Sequence, residues 1–122
     1  MSASTRNIIA WTLQVLLGLA FIAFGVKKLT VLPTTVAMFN NLGMPSAMAY
    51  IIAVAEVLGG VGLLIPRFTR LAALGLVIIM LGAVVMHATK IPGGIAQGVP
   101  AIVCLLLLLA VLWLRRPVAA TA

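Results

Sequence analysis

Residues 46–65 of the chain read SAMAYIIAVAEVLGGVGLLI, an apolar run whose single charged member is Glu56. A helix of about 20 residues rises about 30 Å, which matches the hydrocarbon core of a bilayer. Of the 122 residues, 65% are hydrophobic and 7% are charged, and the mean hydropathy is +1.34. These values exclude an ordinary soluble domain, so we predict an integral membrane protein.

Three more apolar runs of similar length flank this one, separated by connections that contain Pro33, the Gly43-Met44-Pro45 turn and Pro66. Together they predict one membrane domain over residues 1–122, with spans at about 7–28, 46–65, 70–90 and 95–114. The expected fold class is all-α, an integral membrane four-helix bundle with short loops. Pro100, early in the fourth span, is expected to kink that helix.

The basic residues predict the orientation of the bundle. They sit singly or in pairs between apolar runs, so the net charge of +7 indicates membrane topology and argues against nucleic-acid binding. With four spans, the side of the termini carries Arg6, Arg67, Arg70, Arg115 and Arg116, and the opposite side carries Lys27, Lys28 and Lys90. Because basic residues concentrate on the cytoplasmic side, both termini are expected there.

Glu56 is the only acidic residue of the chain. It follows Ser46 by ten residues, which places it about 15 Å along the helix and close to the middle of the bilayer. A bare carboxylate at that depth costs about 2.5–3.5 kcal/mol on insertion scales. It should therefore face the bundle interior, and two interpretations stay open. The carboxyl is a neutral hydrogen-bonding group between helices, or it takes part in ligand binding, proton handling or an ion pair.

The first helix carries a stripe of residues that share one face. Gln14, Gly18, Phe21, Gly25 and Lys28 recur at spacings of four and three. Lys28 therefore continues the packed face, although snorkelling to headgroups is an alternative. Small residues let helices approach closely, so we assign helix packing to Gly18, Gly25, Gly59 and Gly60.

His87 and Gln97 fall in the same outer half of the bundle as Lys28. We predict that a polar pocket there is formed by Lys28, Glu56, His87 and Gln97, with a role in ligand binding or proton handling. Lys28 is expected to lie shallower than Glu56 by about 10 Å, so a direct ion pair requires a lysine that reaches inward.

The sequence argues against a metal site and against disulfide chemistry. One histidine and one carboxylate make a poor metal site, and a lone cysteine, Cys104, cannot form an internal disulfide. We therefore expect no metal and no covalently bound cofactor. The six methionines are interpreted as apolar filler.

Several short segments occur in an order that resembles the DoxX-like family of small four-helix membrane proteins. They are Phe24-Gly25-Val26-Lys27-Lys28-Leu29, Leu42-Gly43-Met44-Pro45, Glu56-Val57-Leu58-Gly59-Gly60 and the basic turn 67–70. The similarity covers roughly residues 8–90. It implies a multi-pass protein of the bacterial inner membrane, and it matches Lys28, Glu56 and His87 to the motif lysine, acid and histidine of the family.

The resemblance also implies a function, because some family members are described as the membrane part of thiosulfate:quinone oxidoreductase and others are linked to redox or stress complexes. The leading hypothesis is a redox-complex subunit whose pocket binds quinone or another small amphiphile. Lys28 and His87 would donate hydrogen bonds to a ligand carbonyl, and Glu56 would relay protons or hold Lys28. The alternative is a non-enzymatic structural or assembly subunit that docks on a protein partner. A proton or solute carrier is least favoured, since Gln14 is nearly alone in the inner half.

Overall fold

The computed structural model describes residues 1–91 and 93–117, except for the side chains of Ile95 and Gln97. In this part of the chain the helices are α1 (Ala3–Thr30), α2 (Leu32–Asn41), α3 (Ser46–Leu64), α4 (Thr69–Thr89) and α5 (Val99–Leu114). Short 3-10 turns, Pro66–Phe68 and Gly94–Gly98, precede α4 and α5. Helix α5 therefore begins four residues later than the predicted fourth span.

Local sequence explains where the helices begin and end. The Ser2 side chain accepts a hydrogen bond from the Thr5 amide and caps α1. After α2 the chain turns through Gly43, whose φ of 83° suits glycine. Pro100 occupies the first turn of α5, where its missing N–H breaks no helical hydrogen bond. The predicted kink at Pro100 is therefore wrong, because this proline starts the helix instead of interrupting it.

Four of the helices pack in a ring. Helix α1 packs against α3 and α5, and α4 also packs against α3 and α5, while α2 lies across one end on α3 and α1. The buried apolar core is formed by Leu17, Phe21, Leu63, Ala73, Leu76, Met80, Leu108 and Val111. This arrangement leaves a partly open cavity beside α2, to which α2 and the four other helices contribute.

The two ends of the bundle differ in charge. At the arginine end, where α1 begins and α5 ends, Arg115 Nε donates to Gln14 Oε1 at 2.6 Å and Arg115 Nη1 donates to Asn7 Oδ1 at 2.9 Å. At the lysine end, α2 covers the bundle and Lys90 Nζ donates to the Leu42 carbonyl at 3.4 Å. The beginning of α1 and the end of α5 therefore lie at the same end of the bundle.

The outer surface of the bundle is apolar. Three helical segments, Ala3–Thr30, Ser46–Leu64 and Pro66–Thr89, are long and apolar enough to cross a membrane, and Val99–Leu114 is a shorter apolar helix. Large apolar side chains that are more than half exposed include Leu16, Leu58, Leu71, Ile78 and Leu106. A contiguous apolar exterior of this kind suits contact with lipid.

Candidate ligand-binding site

Lys28 and Glu56 form an ion pair inside the bundle. Lys28 Nζ lies 2.7 Å from Glu56 Oε1, and the Glu56 side chain is only 2% exposed whereas that of Lys28 is 28% exposed. The approach satisfies the distance of an ion pair but lies outside the angles of a hydrogen bond, so the buried Oε1 has no hydrogen-bond partner in the described part of the chain. The positive charge of Lys28 thus balances that of the carboxylate, which can still accept a hydrogen bond.

Two glycine contacts between α1 and α3 bring this pair together. A Cβ on Gly18 would lie 2.9 Å from the Gly60 carbonyl oxygen, and a Cβ on Gly25 would lie 2.5 Å from that of Ala53. The antiparallel helices therefore touch backbone to backbone, as small residues permit. Gly59 lies on another face, where a Cβ would meet the Leu76 side chain of α4 at 2.7 Å. Gly59 thus belongs to the contact between α3 and α4.

The register set by these glycines explains why the ion pair is direct. Lys28 follows Gly25 by three residues, about 4.5 Å along α1, while Glu56 lies between Ala53 and Val57, which both contact Gly25. The axial separation is therefore about 5 Å, a distance that a lysine side chain spans. The predicted 10 Å was wrong because α3 extends nearly two turns beyond Lys28, so its first residue does not mark the depth of that lysine.

The ion pair lines a partly open cavity of about 560 Å³ to which all five helices contribute. Lys28, Glu56 and His87 all contribute to its wall. The rest of the lining is largely apolar and is rich in sulfur and aromatic rings, with Met38, Met44, Met48, Met80, Met86, Cys104, Phe24 and Phe39. Its size and its few convergent polar groups are typical of a small-molecule site.

His87 is held in a fixed orientation. Its Nδ1 lies 2.8 Å from the Ala83 carbonyl oxygen one turn earlier in α4. A carbonyl only accepts, so the hydrogen is on Nδ1, and the neutral ring offers Nε2 as an acceptor. Gly98 covers the same side of the ring, because a Cβ there would lie 2.8 Å from His87 Cβ and 3.5 Å from Nδ1. The expectation that a neutral His87 donates to a ligand carbonyl does not fit this tautomer.

Three of the four residues predicted for the pocket thus share one cavity. The side chain of the fourth, Gln97, lies outside the described residues. The contribution of α2 to the cavity and the clustering of methionine were not predicted from the sequence: five of the six methionines line the cavity. The spacing of Met48 and Ile52 by four residues in α3, and of Met80 and His87 by seven in α4, was the available signal, since both spacings repeat on one helical face.

Two other regions are distinct from this cavity. A groove of about 440 Å³ between α3 and α4 is lined by apolar residues and glycines, including Leu58, Gly62 and Leu71. At the arginine end, the fully buried Gln14 donates to the Leu63 carbonyl at 2.8 Å and to Thr69 Oγ1 at 3.1 Å. The groove carries no ionisable group, and the Gln14 network links helices. We therefore place the candidate site in the cavity that contains Glu56.

Comparisons with known proteins give the chain a family context. Residues 10–89 match the DoxX family. The chain is 32% identical over 80 residues, 66% of its length, to a Bacillus subtilis (strain 168) protein named "Putative oxidoreductase CatD", and the match spans 60% of that relative. No solved structure matches the chain. Together with the three long apolar helices, the family match identifies a multi-pass membrane protein.

Proposed function

The chain belongs to the DoxX family, and from that premise we propose that it is a subunit of a quinone-linked or other redox complex in the bacterial inner membrane. Its cavity would bind a small aromatic amphiphile of the quinone class. The single observation that carries this proposal is the cavity of about 560 Å³ in which an otherwise apolar wall contains Lys28, Glu56 and His87. The oxidoreductase name of the relative agrees with it.

The chemistry of the wall supports an aromatic ligand. Thioethers are polarisable and adapt to irregular shapes, and sulfur–aromatic contacts are favourable by about 0.3–1.5 kcal/mol each. Phe24 and Phe39 add ring surfaces to the same wall. A flat ring packed among these side chains would bring its polar substituents to the few polar groups of the wall.

The ion pair has a defined place in this proposal. Lys28 supplies a cation with further N–H groups that can donate, and Glu56 supplies a carboxylate with further lone pairs that can accept. A bound ligand would meet a donor and an acceptor side by side, and Glu56 would be the group that exchanges a proton with it.

Ligand binding tests the proposal directly. The full-length protein, purified in mild detergent, is titrated with trimethylbenzoquinone and its hydroquinone by equilibrium dialysis, and copurifying quinone is sought by mass spectrometry. Binding that weakens in Lys28→Ala and Glu56→Gln but is unchanged in Lys27→Ala supports the proposal. Lys27 is a matched control because it is the exposed neighbour of Lys28. If neither compound binds and no quinone copurifies, the proposal is wrong.

The membrane topology is part of the proposal. Four spans with both termini in the cytoplasm fit the common position of the start of α1 and the end of α5, and the excess of arginine at that end. In a variant with Cys104→Ala, cysteines placed at Ser2 and Asn41 report the two ends of the bundle. Labelling of position 2 only from the cytoplasmic side and position 41 only from the other side is expected. The reverse pattern would overturn the orientation.

A non-enzymatic subunit is the second candidate. The apolar groove between α3 and α4 favours it, because a Cβ on Gly75 would meet nothing within 4 Å and a neighbouring helix could approach closely there. This candidate predicts a stoichiometric protein partner after mild solubilisation and no bound quinone. The same purification therefore separates the two functions.

A further inference from the structure

We propose that the cavity holds the reduced, hydroxyl-bearing form of its aromatic ligand, a hydroquinone, in preference to the oxidised dicarbonyl form. This inference rests on the proposed function, because it assigns the redox form of a ligand bound in the same cavity. It depends on which polar atoms of the wall accept hydrogen bonds, and these atoms belong to His87 and Glu56.

The first acceptor is His87 Nε2. The Ala83 carbonyl takes the hydrogen of Nδ1 at 2.8 Å, and Gly98 lies against the Cβ, Cγ and Nδ1 side of the ring. His87 nevertheless lines the cavity. Nε2 is the ring nitrogen that is not bonded to Ala83, and in the neutral ring it has a lone pair and no hydrogen, so we assign it as the acceptor for a ligand in this cavity.

The second acceptor is the Glu56 carboxylate. The side chain lines the cavity, and Lys28 Nζ lies 2.7 Å from Oε1, so the carboxylate is held as an ion pair whose other lone pairs remain to accept a hydrogen bond. An ionised carboxylate accepts hydrogen bonds and donates none. A ligand hydroxyl that donates to Glu56 would form a charge-assisted hydrogen bond, which is stronger than a neutral one.

These two acceptors discriminate between the forms of the ligand. The hydroxyls of a hydroquinone can donate to Glu56 and to His87, and they can still accept from Lys28. A quinone has only carbonyl oxygens, so it can accept from Lys28 but offers no hydrogen to His87 or to the Glu56 carboxylate. A site whose polar groups are placed for hydroxyls rejects analogues that lack them. We expect the hydroquinone to bind at least about tenfold more tightly than the quinone.

The test compares three probes that share one ring. They are trimethylhydroquinone, trimethylbenzoquinone and the dimethyl ether of the hydroquinone, which keeps the ring but has no hydroxyl donor. Dissociation constants are measured on the full-length protein in detergent by equilibrium dialysis, anaerobically and with a reductant present for the hydroquinone. Because these three measurements use the unaltered protein, the result does not depend on any variant folding.

The inference requires that the hydroquinone bind at least about tenfold more tightly than both the ether and the quinone. His87→Phe and Glu56→Gln should then bring the ratio of the quinone and hydroquinone dissociation constants towards one. Lys27→Ala should leave that ratio unchanged. Equal or tighter binding of the quinone overturns this inference while leaving the proposed function standing. Failure of all three probes to bind overturns the proposed function, and this inference with it.

Discussion

Gly25 of α1 lies directly against the backbone of α3 at Ala53, where a Cβ on the glycine would come within 2.5 Å of the Ala53 carbonyl oxygen. The same Cβ would lie 2.5 Å from Val57 Cγ2. Real Cβ atoms do not approach backbone this closely, so any larger residue forces the two helices apart. Lys28 lies one turn from Gly25 and Glu56 precedes Val57, so the contact that packs the helices also positions the ion pair.

The Gly25→Ala substitution is therefore expected to destabilise the protein and to weaken ligand binding together. Overpacking a rigid contact costs about 1–3 kcal/mol, and forcing the two helices apart would move Lys28 away from Glu56. Thermal unfolding in detergent should show a lower midpoint, and equilibrium dialysis should show weaker binding of trimethylhydroquinone. The matched control is Gly75→Ala, because a Cβ there would meet nothing within 4 Å. A stable Gly25→Ala protein with normal binding would contradict the assignment.

Much of the bundle could be predicted from sequence because its signals are local. The length of each apolar run predicts a helix, and the spacing of Gly18, Gly25 and Lys28 predicts the packed face of α1. The depth of Lys28 relative to Glu56 could not be predicted in this way, because it depends on how far α3 slides along α1. That offset is set by two backbone contacts between α1 and α3. Residue spacing along a single sequence does not show where such contacts occur.

The methionines illustrate a second limit of the sequence. Each one is an ordinary apolar residue when considered alone, and Met38, Met44 and Met86 lie on different segments. Their convergence depends on α2 folding across the end of the bundle, which places Met38 and Phe39 in the cavity wall. Helical spacing identifies neighbours on one helix, whereas the wall of this cavity is assembled from five.

The ion pair predicts an unequal response to loss of its two members. Lys28→Met leaves a carboxylate that is 2% exposed without its cation, whereas Glu56→Gln leaves a lysine that is 28% exposed and can reach water or headgroups. We expect Lys28→Met to lower the unfolding free energy by about 3 kcal/mol and Glu56→Gln to lower it by about half as much. Unfolding in detergent at matched pH measures both.

A double variant and a neighbour control test the same pair further. Lys28→Met combined with Glu56→Gln should recover part of the stability lost in Lys28→Met, because no unpaired charge is then left in the apolar interior. Lys27→Met should change stability by less than about 0.5 kcal/mol, as expected for an exposed position. Additive losses in the double variant would mean that the two residues do not interact.

The arginine end predicts a contrast between two adjacent residues. Arg115 Nε donates to Gln14 Oε1, and Gln14 is fully buried, so Arg115→Ala would leave a buried acceptor unpaired at a cost of about 1–3 kcal/mol. Arg116 is exposed and stacks over Trp113 with 4.3 Å between Cζ and the ring centroid. Arg116→Ala should therefore cost less than about 1 kcal/mol. Both variants should bind hydroquinone normally, because this network lies at the opposite end of the bundle from the cavity.

Gly98 offers a way to change the site without altering a polar group. A Cβ at position 98 would lie 2.8 Å from His87 Cβ and 3.0 Å from Cγ, so Gly98→Ala forces His87 and the segment at residue 98 to move relative to each other. We expect about a tenfold loss of hydroquinone affinity, the effect of losing one well-placed hydrogen bond. Binding of the dimethyl ether, which cannot donate to His87, should change much less. Gly75→Ala is again the control. If Gly98→Ala weakened both ligands equally, its effect would be a general change in cavity shape, and His87 would have no particular part in recognising hydroxyls.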